Sequence, residues 1–152
     1  MKTFLFCLML LPSLSMAVTT DLPWEAKMAK YTVKMYSIKM KYITDLSQIT
    51  PGDVDEAVER DLAICEGIGS AENELTKLVG DLGSVKDLLP NRTDWQEIDT
   101  LEGVLIIAWA DMRVFCIRAD DNLYRNIPYV QERVQKSQNI LDALTEILTK
   151  YE

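Results

Sequence analysis

The sequence predicts an all-α protein, an up-down-up-down bundle of four long helices with one interhelical disulfide. Apolar residues recur at intervals of three and four along almost the whole chain, the period of an amphipathic helix. The breaks between these segments are short, which favours antiparallel neighbours. Two cysteines lie at nearly equal distances from the central break, so that the two longest segments pair in a definite register.

Residues 1–17 have the layout of a cleaved secretory signal peptide. One lysine precedes an unbroken apolar run over residues 4–11, and small residues stand at positions 15 and 17. A membrane-spanning helix needs roughly 20 apolar residues, and neither this run nor any later one is that long. We therefore expect no membrane span, and a secreted, extracellular protein whose single helical-bundle domain covers residues 18–152, or 135 of the 152 residues.

The first helix is expected to start after Asp21, which can act as its N-cap, with Pro23 in the first turn. The turn at residues 49–51 ends it. The large apolar side chains with helical spacing predict its core face. They are Trp24, Met28, Tyr31, Met35, Ile38, Tyr42, Leu46 and Ile49.

The second helix is expected to begin at a capping box over residues 50–53. Its stripe runs through Val54, Val58, Leu62, Cys65 and Ile68 and resumes at Leu75, Leu78, Leu82, Val85 and Leu89. Residues Gly67–Ser70 leave two interpretations open, because two glycines disfavour a helix interior and Ser70 can cap a new helix. One is a single kinked helix, and the other is a compact five-helix bundle broken at Gly67–Ser70. We favour the single helix because a fold-back separates the two cysteines.

A second capping box over residues 93–96 opens the third helix, and Asn126-Ile127-Pro128 ends it, because proline disfavours helical geometry in the preceding residue. The third stripe contains Ile98, Leu101, Leu105, Trp109, Met112, Cys116, Ala119 and Leu123. The fourth contains Val130, Val134, Ser137, Leu141, Leu144, Leu148 and Tyr151.

Cys65 and Cys116 are predicted to form the disulfide. Cys65 precedes Leu89 by 24 positions and Cys116 follows Asp94 by 22. At about 1.5 Å per residue both sulfurs lie roughly 33–36 Å from the tip of a helical hairpin, side by side. The third cysteine, Cys7, leaves with the signal peptide, and the alternative for the remaining pair is two free buried thiols.

Asn91-Arg92-Thr93 is the one glycosylation sequon, and it falls at the tip of this hairpin. In a secreted chain it predicts a glycan on Asn91. The alternative is a turn followed by a helix cap.

The acidic charge is unevenly distributed. Without the signal peptide the chain has 15 basic and 24 acidic residues, a net charge of −9. Residues 18–49 carry five lysines and three acids, and the remainder carries 10 basic and 21 acidic residues. One interpretation is intramolecular: a basic first helix lies beside acidic helices of the same bundle. The alternative is that the lysine face binds an acidic partner. An acidic chain without a concentrated basic surface is not expected to bind nucleic acid.

The first and third helices carry more apolar residues than one core face requires. The surplus residues are Val33, Tyr36, Met40 and Ile43, and in the third helix Ile106, Ile107, Val114 and Ile117. An additional helix buries them, or they form an exposed surface for a partner. On the second interpretation Val33, Tyr36, Met40 and Ile43, with the neighbouring Lys34 and Lys39, contact an extracellular protein partner or a second copy.

Catalysis is not expected. The chain has no histidine, which excludes a Ser-His-Asp or Cys-His arrangement and the usual zinc and di-iron sites. We therefore expect no cofactor, no metal and no enzyme. The sequence predicts a secreted, non-enzymatic binding protein, an inhibitor or signalling-type ligand of an extracellular protein. The alternative is an extracellular carrier of a small apolar ligand, in a cavity lined by Trp24, Met28, Met35, Trp109 and Met112.

Overall fold

The computed structural model describes residues 21–117 and 126–152, which form four α-helices and no strand. The predicted signal segment 1–17 lies outside the described residues, and so do Ala119 and Leu123 of the predicted third stripe. The helices are α1 (Leu22–Ser47), α2 (Val54–Leu88), α3 (Arg92–Ile117) and α4 (Ile127–Thr149).

The helices pack in the predicted up-down-up-down order. α1 lies beside α2 and α4, and α3 lies beside the same two helices, while the backbones of α1 and α3 stand diagonally across the bundle. Each helix therefore has two neighbours and one face toward the common centre. The four-helix bundle predicted from the period and the short connections is confirmed.

The predicted disulfide joins α2 to α3. Cys65 and Cys116 are bonded across the two helices, with a Cα–Cα distance of 5.5 Å, inside the usual range for a disulfide. The hairpin register inferred from their equal distances to the tip is confirmed, and the alternative of two free thiols is wrong.

α2 is one continuous helix of 35 residues, so the five-helix alternative broken at Gly67–Ser70 is wrong. Gly67 is buried where α1 and α2 approach closely. A Cβ atom there would lie 3.2 Å from Cγ1 of Ile43 and 3.3 Å from Cδ1 of Tyr42. The glycine therefore allows the two helices to come together, and it does not end a helix.

Two helix caps differ from the predicted ones. α2 starts at Val54, and its cap is Asp53, whose carboxylate accepts from the Glu56 N–H at 2.9 Å, so the box predicted at residues 50–53 is displaced by three positions. The Glu56 carboxylate accepts from the Gly52 N–H at 2.6 Å, one residue before the cap, whereas in a capping box this bond comes from the N–H of the cap residue itself. α3 is capped by Asn91 and not by Thr93, since Oδ1 of Asn91 accepts from the Thr93 N–H at 2.9 Å.

Asn126-Ile127-Pro128 opens α4. Oδ1 of Asn126 accepts from the Tyr129 N–H at 3.3 Å, and the proline stands in the first turn, where its missing N–H is no loss. The end of the third helix, predicted before this tripeptide, lies outside the described residues, since α3 is described to Ile117. The predicted fourth stripe is buried from Val130 to Leu148.

The predicted stripe of α2 is buried from Ile68 onward, but Val54, Val58 and Leu62 are exposed. α2 begins eleven residues before Cys65, and α3 is described to one residue after Cys116. The first turns of α2 therefore lie opposite no described residue of α3. In α3 the predicted core residues Ile98, Leu105 and Met112 are buried.

The prediction for α1 is inverted. Its buried apolar residues, which we call the inner stripe, are Ala26, Ala29, Val33, Tyr36, Met40 and Ile43. The residues predicted to face the core lie on the outside or at the edge. Four-helix bundle packing requires one inward face, and the sequence offers two that both repeat at intervals of three and four.

Candidate protein-binding surface

The outward face of α1 carries a second apolar stripe, which we call the outer stripe. Its members are Trp24, Met28, Tyr31, Met35, Ile38 and Tyr42. The exposed fractions of Trp24 and Tyr31 are both 58%, and those of Ile38 and Tyr42 are 52% and 50%. Met28 and Met35 are half-buried. An uninterrupted row of large apolar side chains along one helix therefore remains in contact with solvent.

The lysines of α1 explain which stripe is buried. At about 100° per residue the two stripes are centred roughly 150° apart on the helix. Lys27, Lys34 and Lys41, which we call the lysine row, lie roughly 110–150° from the inner stripe but only roughly 60–100° from the outer one. Burying the outer stripe would draw three ammonium groups toward an apolar core, at a large desolvation penalty.

The predicted contact residues on α1 are therefore mostly unsuited to that role. Val33, Tyr36, Met40 and Ile43 are buried in the core, so the prediction that they face a partner is wrong. They are not surplus, because they are the face that the bundle requires. Lys34 is exposed and belongs to the lysine row, while Lys39 is half-buried. In contrast, Ile106, Ile107, Val114 and Ile117 of α3 are exposed, away from the core.

The lysine row borders one side of the outer stripe. Lys41 pairs with Asp45 at 2.7 Å on the exposed surface, a contact of small energetic value. Within residues 21–117 and 126–152, neither Lys27 nor Lys34 has an ion-pair partner. A fourth lysine, Lys30, lies next to α4 and pairs with Glu152 at 2.6 Å. Two of the three lysines in the row are thus available to a charge outside the bundle.

The outer stripe contacts α2 at its C-terminal member, Tyr42. Tyr42 leans over Gly67, where the missing side chain leaves room for the ring. The stripe is therefore supported on a packed helix pair, and its side chains do not project from a loop. A surface on rigid elements binds a partner with little loss of conformational freedom.

The residues predicted to line a ligand cavity are not brought together. Trp24 stands on the outer face of α1, and Met28 and Met35 are directed away from the bundle centre. Met112 is fully buried in the core on α3, diagonally across the bundle from α1. The indole N–H of Trp109 donates to the carbonyl of Ile68 at 3.1 Å, so this side chain joins α3 to α2. These five residues cannot line a single cavity.

The tip of the α2–α3 hairpin is held by a charged cluster. Lys86 lies 2.9 Å from both Asp99 and Glu102 and 5.7 Å from the ring centre of Trp95. Partial burial alone would lower the pKa of Lys86, but the hydrogen bonds to the two carboxylates outweigh it and the pKa is raised. Asn91 is exposed at this tip, and its cap contact uses Oδ1 and leaves the side-chain amide nitrogen outside that contact.

A second polar cluster ties the end of α4 to the start of α3. The Tyr151 hydroxyl and the Lys150 ammonium both donate to the buried carboxylate of Asp94. The hydrogen bond from Tyr151 lowers the pKa of Asp94, while partial desolvation opposes the shift. The same hydrogen bond raises the pKa of Tyr151 to about 12.

Among the described residues two buried side-chain oxygens have no hydrogen-bond partner, the hydroxyl of Tyr36 and Oε2 of Glu102. Glu102 Oε2 still lies 2.9 Å from the Lys86 ammonium, so Tyr36 is the one without a charged neighbour. Burial raises the pKa of this phenol well above its ordinary value. The ring is fully buried, so its area contributes to the core while the hydroxyl loses its water contacts. The described residues around the Tyr36 hydroxyl indicate no chemical role for this group.

Over residues 21–117 and 126–152, the side chains form no group of three or more carboxylates or thiols with the geometry of a metal site. In the same ranges, no helix has an apolar stretch long enough to cross a bilayer. Comparisons with protein-family models, with curated proteins and with solved structures found no match to this chain.

Proposed function

We propose that this chain is a secreted, non-enzymatic binding protein that holds an extracellular protein partner on the outer stripe of α1. The observation that carries the proposal is the exposure of Trp24, Tyr31, Ile38 and Tyr42 along one face of one helix. Aromatic and methionine side chains with a few cations are the composition of a protein interface core.

The size of the surface supports this use. A large aromatic side chain has roughly 150–250 Å² of surface, so four side chains that are about half exposed present on the order of 400 Å². A patch of that size is near the largest found on ordinary monomers and is often functional. At roughly 25 cal/mol per Å², covering it would contribute about 10 kcal/mol before the losses that accompany association.

Two further observations support the extracellular setting. The disulfide between Cys65 and Cys116 is of the kind that persists in oxidising compartments. Residues 1–17 have the composition of a secretory signal peptide, which removes the third cysteine and leaves an even number. The lack of histidine supports a role without catalysis.

Site-specific photocrosslinking tests the proposal. A benzophenone amino acid is introduced in place of Tyr31 or Ile38, and in a control protein in place of Lys136, an exposed residue of α4. Each protein is irradiated in the secretory fluid of its source. We expect one discrete adduct from both α1 positions, identified as the same polypeptide by mass spectrometry, and none from position 136. Equal adducts from all three positions, or no adduct from α1, would contradict the proposal.

A further inference from the structure

The spacing of the outer stripe is that of a coiled-coil seam. Its six members follow one another at intervals of 4, 3, 4, 3 and 4 residues, which are alternate a and d positions of a heptad repeat. The inner stripe of α1 has the same type of spacing, and it already packs against helices within the bundle. α1 therefore carries two helix-packing seams on nearly opposite sides, and only one of them is covered by a helix in the described chain.

The flanking positions of the outer seam are strongly charged. With Trp24 at position d and Met28 at position a, the three g positions are Lys27, Lys34 and Lys41. The e positions are occupied by Glu25, Thr32 and Lys39. In coiled coils the e and g side chains pair with charges on the opposite helix and select the partner. A row of lysines at g selects a helix with carboxylates at its own flanking positions.

A second copy of α1 does not meet this requirement. In an antiparallel pair the g positions face each other, so three lysines would oppose three lysines. In a parallel pair Lys27 would face Thr32 of the second copy, and Lys34 would face Lys39. In the antiparallel pair Glu25 would also face Lys39 at the e positions, twice by symmetry, but the three lysine–lysine contacts at g outnumber these two. The parallel pair brings no opposite charges together, and like charges at a seam disfavour association.

An anionic lipid surface is also a poor match. Lysines and tryptophan on one helix face suit a membrane interface, but the remainder of the chain is acidic. Residues 50–152 carry 10 basic and 21 acidic residues, so the body of the protein would be repelled by the surface that attracts α1.

From the seam and its charges we infer that the partner presents an amphipathic helix, with apolar residues in heptads and carboxylates beside them, which lies lengthwise on the outer stripe. The inference rests on the proposed function, since it names what occupies the same surface. The seam from Trp24 to Tyr42 spans 18 residue steps, or about 27 Å, which is five turns of the docked helix.

A designed peptide pair tests the inference directly. The first peptide has four heptads with Leu at a and d, Glu at e and g, and neutral residues elsewhere. The second is identical but has Lys at e and g. Isothermal titration calorimetry in low salt should show that the disulfide-bonded protein binds the Glu peptide about tenfold or more tightly than the Lys peptide, because three flanking pairs change from attraction to repulsion. Added salt should reduce the difference.

Three variants give the experiment its specificity. Lys27→Glu/Lys34→Glu/Lys41→Glu should reverse the preference and bind the Lys peptide more tightly. Tyr31→Ser/Ile38→Ser should lose both peptides while its circular dichroism and urea midpoint stay near those of the wild type. Lys136→Glu, a charge reversal on the exposed face of α4, should leave the preference unchanged.

Several outcomes would overturn the inference and leave the proposed function standing. Equal binding of both peptides, or no binding of either, would do so if the adducts from positions 31 and 38 are still formed. Binding to vesicles of phosphatidylcholine and phosphatidylserine that is lost in the triple lysine variant would replace the helix by a lipid surface. A dimer in analytical ultracentrifugation that Tyr31→Ser/Ile38→Ser dissolves would replace it by a second copy. Loss of the adducts together with failure of the peptides would end both proposals.

Discussion

Replacing Gly67 by alanine has two opposing effects on the free energy of unfolding, one from helix propensity and one from packing. In a helix interior alanine is about 1 kcal/mol more favourable than glycine. At Gly67 the new Cβ would lie 3.2 Å from Cγ1 of Ile43, which is fully buried. Overpacking of this kind raises the free energy of the folded state by about 1–3 kcal/mol. The net result is expected to range from no change to a loss of about 2 kcal/mol.

Gly80→Ala is the matched control, since both glycines lie inside α2 and nothing lies within 4 Å of a Cβ at Gly80. This variant should be stabilised by about 1 kcal/mol. Urea unfolding of the disulfide-bonded proteins, followed by circular dichroism, measures both free energies. We expect Gly67→Ala to be less stable than Gly80→Ala by about 1–3 kcal/mol, and Ile43→Val should recover part of the difference when combined with Gly67→Ala. Equal stabilisation by both alanines would refute the close approach of α1 and α2.

Four other predictions follow from the described contacts. Cys65→Ser/Cys116→Ser should lower the free energy of unfolding by about 4 kcal/mol, because the disulfide closes a loop over a sequence separation of 51 residues; an unchanged urea midpoint would contradict this. Met40→Ala should lower the free energy of unfolding by about 2–5 kcal/mol and Ile38→Ala by less than about 1 kcal/mol, because Met40 is buried and Ile38 is exposed on the opposite face of α1. The reverse order of stability in thermal unfolding would show that the outer stripe, and not the inner one, faces the core. The pKa of Asp94 is lowered below 3.8, so its hydrogen bonds stabilise the fold above that pH, and this contribution is lost as the pH falls through the folded-state pKa. Tyr151→Phe should therefore lower the free energy of unfolding, measured in urea, by less at acid pH than at neutral pH. A loss of stability that is independent of pH would refute this. In secretory expression Asn91→Gln should remove a glycan and increase electrophoretic mobility, and a glycosidase should shift the wild type but not the variant.

The helix count, the order of packing and the disulfide partners could be predicted from the sequence. The reason is geometric: α2 and α3 are joined by a short turn, and the equal distances of Cys65 and Cys116 from it allow one antiparallel register. The continuity of α2 through Gly67 followed from the same constraint. Periodicity alone cannot tell a helix break from a glycine that allows close packing.

The inward face of α1 could not be chosen by size and hydrophobicity. The outer stripe holds the larger side chains, including Trp24 and Tyr31, and an area criterion selects it for the core. The inner stripe begins with Ala26 and Ala29, whose small side chains let α1 approach its neighbours closely. The angular position of the lysine row was the available signal, since it points outward only when the inner stripe is buried.

Cap positions also depended on contacts that sequence does not fix. Thr50 and Thr93 are good cap residues, yet Asp53 and Asn91 perform that role. Each of the four residues has a suitable side-chain oxygen, so residue preference alone does not select the cap.

The fluorescence of the three tryptophans reports on three different parts of the bundle. Trp24 stands on the outer stripe, Trp95 lies beneath the ammonium of Lys86, and Trp109 is fixed to the α2 backbone by its N–H. Their fluorescence should therefore respond separately to quenchers, with Trp24 the most accessible and Trp109 the least. A ligand that covers α1 would shield the first indole alone, whereas separation of the α2–α3 hairpin would change the other two.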